Sequence, residues 1–191
     1  MSGPSPAPLP LAGREVLVGL TGGIACYKTA ALVSRLAQAG AGVTVVMTRA
    51  AEKFVGPATF AALSGRPVGR KMFEDPDNPL GPHITLAKRA ELFCIAPATA
   101  NFLAKAAHGV ADDLVSTLYL SFSGRVLVAP AMNTEMWSKP AVKRNVSQLR
   151  ADGVTLIDPE SGWLSCRDVG AGRMSDPETI YAAIERCLGE P

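Results

Sequence analysis

From residue 15 onward, short apolar runs alternate with longer segments in which apolar residues recur at helical spacing. The runs are rich in Val, Leu and Ile at consecutive positions, which is typical of strands buried on both faces. This pattern predicts strands at residues 16–20, 43–47, 92–96, 126–129 and 154–157. It predicts helices at 25–39, 57–63, 84–90 and 140–151, a last helix from 177 to about 188, and a long segment at 101–121 that Gly109 is positioned to interrupt.

Strands that alternate with helices in this way form a doubly wound parallel sheet with helices on both faces. The predicted fold class is therefore α/β, as a single domain. In such sheets ligands bind beyond the carboxyl ends of the strands. Candidate functional residues are expected in the loops that follow the strands.

The amino-acid composition argues against several classes of function. Residues 1–13, with four prolines in the first ten positions, are predicted to be a disordered tail, and residues 14–191 to be the domain. The 19 Lys+Arg nearly balance the 17 Asp+Glu and no basic run occurs, which argues against a nucleic-acid partner. No apolar run approaches the length of a membrane span and no secretory signal is evident, so the cytoplasm is the expected compartment. The four cysteines are widely spaced, so neither a metal site nor a disulfide framework is expected.

The loops after the first two predicted strands suit a phosphate-bearing cofactor. The first strand leads into Gly22, Gly23 and Ile24 directly before a helix, where backbone N–H groups can approach an anion closely. A tight turn that simply needs two glycines explains this loop about as well. The second strand ends in Thr48 and Arg49 and lacks the acidic residue that holds a ribose hydroxyl, which argues against NAD.

Two later loops present polar groups among small or apolar residues. The sequence APATAN (96–101) places a hydroxyl and an amide at a helix start. The sequence PAMNTEMW (130–137) gathers an amide, two thioethers and an indole in one turn. Met and Trp are more often core residues than ligand contacts, but an Asn between them can bind a carboxylate.

The candidate acid–base groups are a histidine and a cysteine. His83 lies at a predicted helix start, whose positive end favours the neutral, proton-accepting imidazole, whereas His108 fits a helix end. Cys166 lies in a glycine-rich stretch that is typical of a mobile flap, beside Arg167, which could stabilise a thiolate. An inert buried thiol is the alternative for Cys166.

Together these motifs resemble the homo-oligomeric flavin-containing cysteine decarboxylases. TGGIACYK, His83-Ile84, APATAN, PAMNTEMW and the Cys166 segment occur in the expected order, and the resemblance covers about residues 16–188. PAMNTEMW is its most specific part. The resemblance implies a Rossmann/flavodoxin-like three-layer sandwich. It also implies FMN-dependent oxidative decarboxylation of the cysteine moiety of 4'-phosphopantothenoylcysteine, giving 4'-phosphopantetheine in coenzyme A biosynthesis.

The resemblance also implies residue roles. His83 would be the catalytic base, Cys166 a proton donor, and Asn133 and Met136 would bind the substrate. FMN would be held by Gly22, Gly23, Ile24, Thr48, Phe54, Thr99, Ala100, Asn101 and Met132. The chain departs from the family at Arg167, where Gly is common, and at Asp113, where Asn is expected.

Partners and alternatives follow from the same resemblance. The family implies a homo-oligomer, a trimer or an assembly of trimers, in which His83 acts on a flavin held mainly by a neighbouring chain, and a separate phosphopantothenate–cysteine ligase. The alternatives are a peptidyl-cysteine decarboxylase, a flavin prenyltransferase on the same fold, and a non-catalytic flavin-binding subunit. Cys166 favours the reductive decarboxylase over the peptidyl-cysteine decarboxylase, and PAMNTEMW argues against the prenyltransferase. The presence of His83, Asn133 and Cys166 argues against a non-catalytic subunit.

Overall fold

The computed structural model describes residues 9–73, 81–165 and 167–189, so Cys166 and most of the predicted tail lie outside the described residues. The strands are β1 (Glu15–Leu20), β2 (Gly42–Met47), β3 (Leu92–Ala98), β4 (Arg125–Pro130), β5 (Thr155–Leu156), β6 (Glu160–Trp163) and β7 (Val169–Arg173). The helices are α1 (Cys26–Gln38), α2 (Pro57–Ser64), α3 (Pro82–Arg89), α4 (Ala100–His108), α5 (Leu114–Ser121), α6 (Thr134–Ser138), α7 (Pro140–Ala151) and α8 (Pro177–Gly189), with a 3-10 turn at Ala51–Lys53.

The first five strands form one parallel sheet in the order β2-β1-β3-β4-β5, which confirms the predicted doubly wound α/β fold. The chain moves from β1 to β2 on one side and then crosses to β3 on the other. The strand order therefore reverses beside β1. Ligands of such sheets bind at this switch point. The predicted long helical segment is divided at Gly109, whose positive φ of 68° ends α4.

Strand alternation builds an apolar layer on each face of the sheet. On β1, Val16 and Val18 pack with Leu32 of α1 and Ile184 of α8, whereas Leu17 packs on the opposite face. That opposite layer is completed by helices α4, α5 and α7. Because both layers are close-packed, the sheet is a rigid base for the loops at its carboxyl edge.

Three features of the fold differ from the sequence prediction. Strands β6 and β7 form an antiparallel hairpin that the sequence pattern did not predict, because its glycines at 162, 170 and 172 are of a type depleted in strands. The five-residue helix α6 follows PAMN and was not predicted. Strand β5 is only two residues long. Within the described ranges, no helix is long and apolar enough to cross a membrane.

The domain begins earlier than the predicted boundary at residue 14. Leu11 is only 2 % exposed and belongs to the apolar layer under α1 and α8. Its backbone N–H donates a hydrogen bond of 2.9 Å to the carbonyl of Ala39. The prediction of disorder through residue 13 is therefore wrong for this part, because one well-placed leucine is enough to dock the segment on the domain.

We expect Leu11→Ala to lower the free energy of unfolding by roughly 2–4 kcal/mol, because it leaves a cavity in a close-packed layer. The neighbouring Leu9→Ala is the matched control: Leu9 is 53 % exposed, and its loss is expected to cost less than about 0.5 kcal/mol. Urea unfolding followed by circular dichroism measures both. Equal stabilities of the two variants would show that Leu11 is not part of the domain.

Candidate active site

The glycine loop after β1 is shaped by close contacts with its neighbours. A Cβ at Gly22 would overlap the Cβ of Ala50, so only glycine lets the β1 and β2 loops lie this close. At Gly23 the nearest protein atom to an added Cβ would be 3.6 Å away, on Thr99, so the protein itself does not require glycine there. Gly23 instead lines a cavity of about 400 Å³, and the missing side chain leaves this space to a ligand.

One buried hydroxyl group holds the β1 and β3 loops together. Thr21 is 2 % exposed, and its Oγ1 donates to the carbonyl of Pro97 at 2.8 Å. The same oxygen accepts a hydrogen bond of 2.9 Å from the backbone N–H of Thr99. The spacing between Gly22–Ile24 and Thr99–Asn101 is therefore fixed by side-chain hydrogen bonding in addition to the sheet ladder.

Both loops present unpaired backbone donors at helix starts. Within the described chain, no protein acceptor lies opposite the N–H groups of Ile24, Ala25, Ala100 and Asn101, which precede or begin α1 and α4. Such groups, together with the positive end of a helix, bind phosphate and other anions. This donor set fits the phosphate and the polar ring edge of a flavin nucleotide.

A second cavity of about 370 Å³ lies between the loops after β1, β2 and β3. Thr48 and Arg49 line it, and Arg49 forms no ion pair among the described residues. Lys105 also lines it but is paired with Asp112 and Asp113 at 2.5 and 2.8 Å. Burial by itself raises the pKa of Asp113, but hydrogen bonds from Lys105 and the Ser116 backbone hold that pKa below its ordinary value.

The two cavities adjoin. Both are lined by Gly22, Thr99, Ala100 and Met136, so the glycine loop and the β3 loop separate one space from the other. The second cavity thus offers a cation and N–H donors, and the first offers mostly apolar surface. A nucleotide with an anionic end and a flat apolar ring fits this combination.

The PAMNTEMW turn presents its amide to the first cavity in one defined orientation. Asn133 caps α6, its Oδ1 accepting a hydrogen bond of 2.8 Å from the backbone N–H of Met136. Because the oxygen is committed to the cap, the Nδ2 group is the part of the amide that remains to donate to a ligand. Met132 and Met136 line the cavity on either side of Asn133. The turn therefore offers a carboxylate-binding donor within apolar walls.

The β6–β7 hairpin packs on the PAMNTEMW turn and covers the first cavity. Backbone N–H of Met132 donates to the carbonyl of Gly172 at 2.9 Å. A Cβ at Gly172 would overlap the carbonyl oxygen of Met132, and one at Gly170 would overlap the hydroxyl of Thr134. Both glycines thus allow β7 to lie directly on the turn. The cover of the cavity is therefore a β-hairpin, in the glycine-rich segment that was predicted to be a mobile flap.

Large apolar side chains remain exposed around the first cavity. Ile24, Tyr27 and Trp163 line it and are 51, 61 and 65 % exposed. Exposed aromatic and aliphatic groups around a cavity are typical of a ligand site or an interface. Four further residues line this cavity that were not among the predicted site residues: Tyr27, Lys28, Trp163 and Arg173. Tyr27 and Lys28 lie in the first turn of α1, directly after the glycine loop, and this proximity in the sequence is the signal that could have found them.

Two of the predicted site residues are not brought to either cavity. His83 lies in the first turn of α3, as predicted, but it lines neither cavity, and neither does Phe54, which is exposed. The Nδ1 atom of His83 is buried and has no hydrogen-bond partner among the described residues. Within one chain, the predicted base is therefore separate from the loops predicted to hold the flavin.

The two buried cysteines that the structure describes, Cys26 and Cys94, are poor candidates for proton transfer. Burial raises the pKa of Cys26, and burial next to Cys187 raises the pKa of Cys94 to about 12. Both are therefore neutral thiols in the interior. Cys166, the cysteine predicted to act, lies outside the described residues. Its neighbour Ser165 lines the first cavity.

Arg167 adopts a backbone conformation that favours glycine. Its φ is +67°, in the left-handed region, and it is the one non-glycine residue with positive φ in the described chain. A non-glycine residue there costs about 1 kcal/mol or more. This strain gives a physical reason for the Gly common at this position in the resembling family.

Fold and cavity together define a flavodoxin-like α/β protein with a nucleotide-sized site at the switch point of its sheet. A sequence model of the flavoprotein family matches residues 5–189, and the chain belongs to this family. Together with the relatives and solved structures described next, this membership confirms the predicted kinship with flavin-containing decarboxylases and the predicted flavin cofactor.

Similar proteins are known by sequence and by structure. The chain is 46 % identical over 180 residues to the coenzyme A biosynthesis bifunctional protein CoaBC of Bacillus subtilis, covering 94 % of this chain and 44 % of that protein. It is 47 % identical over 175 residues to CoaBC of Mycobacterium bovis, covering 92 % and 41 %. The chain thus spans less than half the length of the curated relatives that it matches.

Two solved structures share the fold across nearly their full length. A PPC decarboxylase variant complexed with pantothenoylaminoethenethiol has a TM-score of 0.83 at 28 % identity, covering 93 % of this chain and 99 % of that one. The FMN-dependent cysteine decarboxylase SpaF has a TM-score of 0.81 at 34 % identity, covering 93 % and 96 %.

We expect Thr21→Val to weaken FMN binding by about tenfold, because the N–H of Thr99 loses its buried acceptor and the two loops lose their fixed spacing. The control is Thr29→Val, which removes a buried hydrogen bond of 2.8 Å to the carbonyl of Ala96 from within α1. Titrating apoprotein into FMN and following flavin fluorescence gives both affinities. A Thr29→Val loss as large as that of Thr21→Val would assign the effect to general destabilisation.

Proposed function

We propose that the chain catalyses the FMN-dependent decarboxylation of the cysteine moiety of 4'-phosphopantothenoylcysteine, giving 4'-phosphopantetheine. The observation that carries this proposal is the orientation of Asn133, whose donor group remains available in an apolar cavity next to the nucleotide loops. A carboxylate is the ligand that this donor suits best. The similarity to the CoaBC proteins and to the PPC decarboxylase structure supports the same substrate.

The cofactor is FMN, and the residues at the switch point are suited to hold it. Thr48, Arg49 and the N–H groups at the starts of α1 and α4 suit its phosphate, and Met132 and Ile24 suit its ring. When bound, FMN would accept a hydride from the substrate carbon next to sulfur and later return it, and the carbon–sulfur double bond formed meanwhile in the substrate would accept the electron pair released as carbon dioxide leaves.

The residues of the chain supply the proton transfers. His83 is the base for the substrate thiol proton, and Asn133 holds the carboxylate until carbon dioxide leaves. Cys166 then protonates the carbon that lost the carboxyl group, which allows hydride return and gives the saturated thiol. The walls formed by Met136 and Trp163 limit the access of water to this step.

The site is completed in a homo-oligomer, which is a trimer or an assembly of trimers. In one chain His83 and Phe54 lie away from both cavities, and a neighbouring copy that docks α3 against the flavin loops would bring them to the cofactor. Exposed Phe54 and Ile84 support such an interface. We also propose the cytoplasm as the compartment and a phosphopantothenate–cysteine ligase as the enzyme that supplies the substrate.

Purified holoprotein incubated with 4'-phosphopantothenoylcysteine is expected to release carbon dioxide and the saturated thiol, and Cys166→Ser to release the enethiol, because the carbon protonation is lost. Mass spectrometry of the products distinguishes the two, with Cys187→Ser as the matched control. Normal product from Cys166→Ser would contradict the donor role. A peptide with a C-terminal cysteine as the preferred substrate would instead support the peptidyl-cysteine alternative.

His83→Asn is expected to lower turnover by about 10²–10⁴-fold, because the base is lost, while the bound FMN and the oligomer remain. His108→Asn, at the end of α4, serves as the control and is expected to retain activity. Steady-state kinetics, the visible spectrum and light scattering measure the three properties. Wild-type turnover by His83→Asn would remove this residue from its proposed role.

A further inference from the structure

The charged side chains that line the first cavity are both cationic. They are Lys28 of α1 and Arg173 of β7, and no Asp or Glu is among the lining residues that the structure describes. Neither residue has a part in the proton transfers or in holding FMN. The cavity therefore has a positive region that the chemistry at the cysteine end of a substrate does not explain.

Lys28 is held in place by two hydrogen bonds and keeps one N–H donor without a partner among the described residues. Its Nζ donates to the carbonyl of Met174 at 3.1 Å and to Asp176 at 2.7 Å. The side chain is 12 % exposed, so its position is constrained. An ammonium group has three donors, and the two protein partners leave one for a ligand.

Arg173 lies across the hairpin toward the same cavity. A Cβ at Gly162 would come within 3.2 Å of Nη1 of Arg173, so the glycine of β6 leaves room for the guanidinium beside the strand. Only its Nη2 bonds to Asp176, at 2.8 Å. Most of the five donors of the guanidinium thus remain available to an incoming group.

Asp176 is shared by both cations and does not neutralise them. The hydrogen bonds from Lys28 and then from Arg173 hold the pKa of Asp176 below its ordinary value, so the carboxylate is ionised at neutral pH. Among the described residues, Asp176 is the carboxylate that bonds to both of these side chains. Glu160 also acts electrostatically on Arg173, and its Oε1 accepts a hydrogen bond of 3.2 Å from the backbone N–H of Asp176. Direct hydrogen bonding within the described chain therefore leaves donors of both cations without a protein partner.

We propose that Lys28 and Arg173 form a subsite for the terminal phosphate of the substrate, and that Arg173 sets the preference for the phosphorylated over the unphosphorylated molecule. A phosphate dianion suits a partly free ammonium and a planar guanidinium, which binds phosphate through parallel hydrogen bonds. This subsite rests on the proposed function. It gives the cavity two recognition groups: the amide of Asn133 for the carboxylate and the cation pair for the phosphate.

The subsite is tested by equilibrium binding, which does not depend on turnover. The ligands are 4'-phosphopantetheine and pantetheine, titrated into FMN-loaded protein and followed by the flavin absorbance. The wild-type protein is expected to bind the phosphorylated ligand at least about tenfold more tightly, and Arg173→Gln is expected to reduce this ratio by about tenfold. The matched control, Arg186→Gln on the exposed side of α8, removes the same charge and is expected to keep the wild-type ratio.

Turnover gives a second, independent comparison. The ratio of kcat/KM for 4'-phosphopantothenoylcysteine to that for pantothenoylcysteine is expected to fall in Arg173→Gln by a similar factor, mainly through KM. An unchanged binding ratio in Arg173→Gln with normal FMN content overturns the subsite, and so does an equal fall in Arg186→Gln. If the wild type binds the phosphorylated ligand selectively but decarboxylates neither substrate, the subsite holds and the proposed reaction fails.

Discussion

The site depends on how closely three loops at the carboxyl edge of the sheet can approach one another. Gly22 allows the β1 loop to touch Ala50 of the β2 loop, and the hydroxyl of Thr21 bonds to both Pro97 and Thr99 of the β3 loop. The first contact leaves no room for a side chain at Gly22, and breaking the second would leave buried polar groups unpaired. The helix-start donors that fit a nucleotide lie at fixed positions only because these contacts are made.

A second close approach builds the substrate side of the site. Strand β7 lies on the PAMNTEMW turn because Gly170 and Gly172 have no side chains, and the backbone of Met132 bonds to Gly172. The same turn fixes the amide of Asn133 through its cap on α6. Recognition of the cysteine carboxylate and coverage of the cavity are thus two results of one packing arrangement. The strained backbone of Arg167 lies in the connection between the two strands of this cover.

Charge is distributed along the cavity according to the chemistry proposed for each end. The neutral amide of Asn133 lies between Met132 and Met136, where a carboxylate must be held loosely enough to depart as carbon dioxide. The cations Lys28 and Arg173 lie where β7 meets α1, apart from the reacting carbon in the proposed arrangement. Binding free energy from a remote group can position the reacting group without stabilising its ground state.

The sequence by itself determined the sheet, most helices and the order of the functional loops, because strand burial, helical spacing and capping are local properties of the chain. It also determined the family, through motifs such as PAMNTEMW. Only the tertiary structure decided that the glycine-rich segment is a hairpin, that Leu11 belongs to the domain, and that Arg173 joins Lys28 from 145 positions away in the chain. It also decided that His83 lines neither of the two cavities described at the carboxyl edge of the sheet. These outcomes depend on contacts between distant segments, which no local pattern of residues encodes.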